Sequence, residues 1–74
     1  MNATIGQRIE MTRYISTAID SSIGIVTGEE IVLGTVTEVS GGSAMVLLDH
    51  GDLQLIREDL DSVQGYPIRS LRVV

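Results

Sequence analysis

Nothing in this chain can cross-link it, and little that is aromatic can bulk out its interior. It has no cysteine, phenylalanine or tryptophan, a single histidine (His50) and two tyrosines (Tyr14 and Tyr66) in 74 residues. Disulfides and thiolate metal sites are therefore excluded, and one imidazole does not make a zinc cluster. A chain this short buries only roughly 60% of the surface its unfolded form exposes. Its core must come from Ile, Val, Leu and Met, and the abundance of β-branched residues suits pleated strands. With disulfides and metal ruled out, association with further copies is the common stabilising device left to a domain of this size.

The charge balance limits what such a domain binds. Ten acidic residues face five basic ones, all arginine, for a net charge of −5. That balance argues against non-specific nucleic-acid binding, which relies on many cationic phosphate contacts. No apolar run reaches the eighteen or so residues that cross a bilayer as a helix. The start, Met1-Asn2-Ala3-Thr4, has no basic segment followed by an apolar run, so no signal peptide is expected. A cytoplasmic, intracellular address is the expectation.

Local pattern divides the chain into short pieces. Thr4-Ile5-Gly6-Gln7 reads as a capping box. After it Ile5, Ile9, Met11, Tyr14, Ile15 and Ala18 share one broad side of a helical wheel, which predicts a helix over about 5–18. The competing reading is a strand at Arg8–Arg13, where Ile9 and Met11 alternate with polar residues. From residue 19 the period becomes that of strands, expected at about 19–27, 30–40, 43–49, 52–57 and 60–64. Turn chemistry at Thr27-Gly28-Glu29, Ser40-Gly41-Gly42-Ser43 and Asp49-His50-Gly51-Asp52 separates them. Gly34, inside the longest strand, marks a bend or a close backbone approach. The run Ala44–Leu48 is uninterruptedly apolar, as in a strand covered on both faces. Gly65–Val74 is left as a tail that serves either as a further strand or as an arm onto a neighbour. The fold class is thus mainly β: a short N-terminal helix followed by a bent, five-stranded antiparallel small barrel in one domain.

This pattern resembles the Sm-like family (Sm, Lsm and Hfq proteins), a small barrel of SH3 type. Gly34 matches the glycine of that family's bent second strand, with Val36, Val39 and Leu47 at the matching apolar places. Leu55-Ile56-Arg57-Glu58-Asp59-Leu60-Asp61-Ser62-Val63 resembles the second motif in its Hfq version, and the resemblance covers about residues 4–64. It implies a homo-oligomeric ring of about five to seven subunits in which the fourth strand (Leu53–Ile56) pairs with the fifth (Leu60–Gln64) of the next copy. Leu53, Leu55, Ile56, Leu60 and Val63 would then form the subunit interface. It also implies single-stranded RNA at the pore, held by Arg57 and the loop Ser40, Gly41, Gly42, Ser43. A guanidinium suits that role because it stacks on bases and donates to phosphate or carbonyl oxygens. Some family positions differ: Val39 and Ser40 stand for the aromatic–aspartate pair, Gly42, Ser43 and Ala44 for the loop asparagine region, and Glu58 follows the basic residue. These departures fall on RNA-gripping positions rather than on those that set the fold. The alternative is therefore an oligomeric protein-interaction scaffold that ignores nucleic acid. A shorter resemblance, Val63-Gln64-Gly65-Tyr66-Pro67, is to the pore segment of the plasmid type II dihydrofolate reductases, without a lysine for the acidic substrate.

No enzyme is expected, since no nucleophile–base pair, phosphate-binding glycine loop or acid pair stands out. Asp20-Ser21-Ser22 reads as a corner between elements, and Asp49-His50-Gly51-Asp52 as a solvated turn rather than a metal site. No cofactor is expected.

Overall fold

The computed structural model describes residues 1–18, 24–63, 65 and 67–74. Five antiparallel strands, β1 (Arg8–Ala18), β2 (Gly24–Ser40), β3 (Ser43–Leu48), β4 (Leu53–Arg57) and β5 (Ile68–Val73), form one sheet in the order β4-β3-β2-β1-β5. A short 3-10 helix at Leu60–Ser62 separates β4 from β5.

The expected helix over 5–18 is a strand. Ile9 and Met11 are fully buried while Arg8, Glu10 and Thr12 are not, so the two-residue alternation prevails over the broader wheel. Half of the capping chemistry is still used, but by a turn: the Thr4 N–H donates to the Gln7 side chain at 3.1 Å, and the Gln7 N–H donates to the Thr4 carbonyl at 3.0 Å. Gly6 sits at φ +89° in that turn, a conformation that ends a right-handed helix before it starts. The following Ile9, Thr12, Ile15 and Thr17 are β-branched and favour the extended chain.

Two expected strands merge. Thr27-Gly28-Glu29 is not a turn but part of β2, at the point where its register against β1 slips: Ile15 faces Gly28, while Ser16 faces Val26. Thr27 is the extra residue of a β-bulge, so turn-forming chemistry here kinks a strand instead of ending it. The expected strand at 60–64 is replaced by the 3-10 turn, capped by the Asp59 carboxylate accepting the Asp61 N–H. The tail completes the sheet, with β5 pairing to β1 from Ile9↔Val73 to Arg13↔Ile68. The corner expected at Asp20-Ser21-Ser22, the start of the strand expected over 19–27, and Gln64 and Tyr66 lie outside the described residues.

The core is aliphatic: Ile9, Met11, Val32, Val36, Ala44, Val46, Leu48, Ile56, Leu60 and Ile68, joined by Ala3. Gly34 belongs to this packing. A Cβ there would lie 2.6 Å from a Val46 methyl and 2.8 Å from the Leu47 carbonyl oxygen, so only glycine lets β2 approach β3 this closely.

The sheet curls on itself. Arg13 on β1 donates to the Gln54 side chain on β4 at 3.2 Å, although flat strands three places apart lie about 14 Å from one another. Arg13 also donates to Glu30 at 2.6 Å, and this trio caps one end of the core. At the other end residues 1–3 lie against 58–60, with Ala3 N–H donating to Glu58 and Leu60 N–H to Met1. Among the described residues the curl does not close by hydrogen bonds, because β4 and β5 are the two ends of the sheet. Beyond the curl β1 and β2 run on as a ribbon carrying the exposed Ile15, Ile25 and Val26. The ribbon accounts for a radius of gyration of 12.9 Å, above the roughly 11 Å of a compact chain this long.

Candidate functional site

The residues singled out from the sequence for RNA binding meet at one end of the sheet. Gly41 and Gly42 both have positive φ (61° and 85°), the requirement of a two-residue type I′ hairpin, and the strands leave it with Ser40 opposite Ser43. Ser43 in turn faces Arg57, so Ser40, Ser43 and Arg57 form one cross-strand row. The Glu58 N–H donates to the Gly42 carbonyl at 2.9 Å and fixes the end of β4 to the turn. Beside this row lies a shallow depression of about 110 Å³ lined by Glu38, Ser40, Ser43, Ala44, Met45 and Leu55.

Arg57 differs from the other arginines. Arg8 binds Asp49, Arg13 binds Glu30, Arg69 binds Glu29 and Arg72 binds Glu10. Among the described residues Arg57 alone has no carboxylate partner, and it is exposed. The Arg8–Asp49 pair is a two-pronged fork, both bonds 2.8 Å. The Arg8 hydrogen bond holds the Asp49 carboxyl below its ordinary value. Asp49-His50-Gly51-Asp52 is a turn as expected, with His50 bonded to Asp52 at 3.1 Å. Among the described residues no group of three or more His, Asp or Glu gathers as a metal site.

The residues singled out as a subunit interface divide into two sets. Ile56 and Leu60 belong to the chain's own core, being 5% and 7% exposed, and Val63 packs against that core. Leu53 and Leu55 point out of the curl and are 61% and 60% exposed. Their cross-strand neighbours are Leu47 (42% exposed) and the half-buried Met45. Together the four form an apolar strip on the outer face of β3 and β4. The uninterrupted run Ala44–Leu48 was the signal for it, since Ala44, Val46 and Leu48 fill the core and leave Met45 and Leu47 to the other face.

The open edge of β4 has a definite polarity. The Leu48 N–H donates to Asp52 and the Glu58 N–H to Gly42, at 2.8 and 2.9 Å. Antiparallel pairs alternate between bonded and non-bonded, so Gln54 and Ile56 bond to β3. Leu53, Leu55 and Arg57 direct their N–H and C=O groups to the open side. On that side a cleft of about 260 Å³ lies between β4 and Val63, Pro67 and Ile68. Among the described residues no helix is long and apolar enough to cross a membrane. No protein-family model matches the chain, no curated protein matches it in sequence, and no solved structure matches it in fold.

Proposed function

We propose that this chain is an oligomeric protein-interaction module that joins other polypeptides, copies of itself first, along the open edge and apolar outer face of β4. The observation that carries this reading is a strand written for two covered faces with only one covered. Exposed apolar side chains on adjacent strands, next to backbone groups that have no partner among the described residues, mark an association surface rather than a solvated one. The small aliphatic core argues in the same direction. The bent second strand with Gly34 and the five antiparallel strands support an Sm-like barrel as the scaffold, while the missing N-terminal helix counts against close kinship. Light scattering on purified protein tests the reading: a mass above one chain is expected, and a persistent monomer at micromolar concentration overturns it.

A second reading, single-stranded RNA at the Ser40–Ser43 turn, is favoured by the exposed Arg57, which has no carboxylate partner among the described residues. The neighbouring Glu38 and Glu58 oppose it, because carboxylates beside the path repel phosphate. Titration with U-rich and A-rich oligonucleotides at low salt separates the two. RNA binding requires a signal that Arg57→Ala abolishes, and the interaction module requires none.

A further inference from the structure

We infer that two copies of this chain pair β4 to β4 about a two-fold axis at Gln54, making one continuous ten-stranded sheet. The inference rests on the reading of the chain as self-associating and names the contact that does it. A strand that pairs with its own copy about a two-fold axis runs antiparallel to it. Only registers that place odd residues opposite odd ones bring the edge groups of Leu53, Leu55 and Arg57 together.

Three such registers overlap three or more residues of β4. With the axis at Ile56, each Leu55 meets the partner's Arg57 and each Leu53 the partner's Asp59, apolar against charged. With the axis at Leu55, each Leu53 meets the partner's Arg57, and Glu58 meets the partner's Asp52, like charges directly opposed. With the axis at Gln54, each Leu53 meets the partner's Leu55, so apolar faces apolar on both sides of the axis. Glu58 then meets the partner's His50. Arg57, without a carboxylate partner among the described residues, arrives at the partner's 49–52 turn, where the exposed Asp52 carboxylate has only His50 as a partner among those residues. Each of these registers satisfies the edge polarity; side-chain matching and the placement of Arg57 beside a carboxylate favour the one with its axis at Gln54. The outer strip of Met45, Leu47, Leu53 and Leu55 then runs across the axis into that of the second copy. The added strand enters along the cleft beside β4.

Single-cysteine variants read this geometry directly, because the chain has no cysteine of its own. At the axis the paired residues form a non-bonded antiparallel pair, with Cα atoms about 4.5 Å apart, within disulfide range. Under mild oxidation Gln54→Cys should give a covalent dimer on a non-reducing gel. An equimolar mixture of Leu53→Cys and Leu55→Cys should cross-link between the two variants, which keeps the test open should Gln54→Cys fold poorly. Leu55→Cys alone should stay at the mass of one chain, since its two copies lie about 8 Å apart in this register. Efficient linking of Leu55→Cys alone, or a native mass above two copies, overturns the inference. An associated protein that none of these variants cross-links leaves the module standing and removes the β4 contact. A monomer removes both.

Discussion

At the scale of single residues, Gly34 is where side-chain volume and backbone path conflict most directly. Gly34→Ala would force a Cβ to within 2.8 Å of the Leu47 carbonyl oxygen and 2.6 Å of Val46. Overpacking of this kind costs about 1–3 kcal/mol, and urea denaturation should find a loss in that range with an unchanged slope. Asp49 gives a prediction with a sign. Its folded-state carboxyl is held below the ordinary 3.8 chiefly by the Arg8 hydrogen bond. The pairing contribution is therefore present above pH 3.8 and lost as pH falls through the lower folded-state value. Asp49→Asn should lower stability above about pH 4, where the pairing is present, and approach the parent below it, so the acid-side loss shrinks, as followed by thermal melts across pH. Because both side chains of this pair are about half exposed, the effect is modest and should fade in high salt.

Among the elements, β4 separates its roles by alternation. Ile56 points into the core and Leu55 out of it, so one charge placed at each gives different results. Ile56→Asp buries a carboxylate among aliphatic side chains and should cost about 3 kcal/mol or more, enough to unfold much of a small domain. Leu55→Asp should change monomer stability by less than about 0.5 kcal/mol while abolishing association. Circular-dichroism melts at low concentration, set beside light scattering at high concentration, separate the two effects.

Much of this was legible before the structure. The Gly41-Gly42 and Asp49–Asp52 turns punctuate the chain where their chemistry says they should, because glycine at positive φ has few substitutes, and Gly34 marks the close approach of β2 to β3. Arg57 and the Ser40–Ser43 turn were identified from sequence as one site, and register does bring them together. The errors came where local chemistry serves two purposes. A Thr–Gln pair closes a turn as readily as a helix cap. Thr27-Gly28 makes a bulge as well as a hairpin. Leu60 and Val63, three apart, suit a 3-10 turn better than a strand, since i and i+3 eclipse in it. That Ile56 faces inward and Leu55 outward depends on which way β4 meets β3, and short-range sequence does not record that.

As a whole the molecule is one sheet whose end strands, β4 and β5, do not pair with each other among the described residues, and β4 is the end proposed to take a partner. The most direct test is amide hydrogen exchange read residue by residue along β4 at two protein concentrations. At low concentration the N–H groups of Gln54 and Ile56, bonded to β3, should be protected while those of Leu53, Leu55 and Arg57 exchange freely. At high concentration those of Leu53 and Leu55 should become protected as well. Protection of Leu53, Leu55 and Arg57 that does not change on dilution would mean the edge is covered from within the chain, and equal exposure at every concentration would mean nothing pairs there; either contradicts the account.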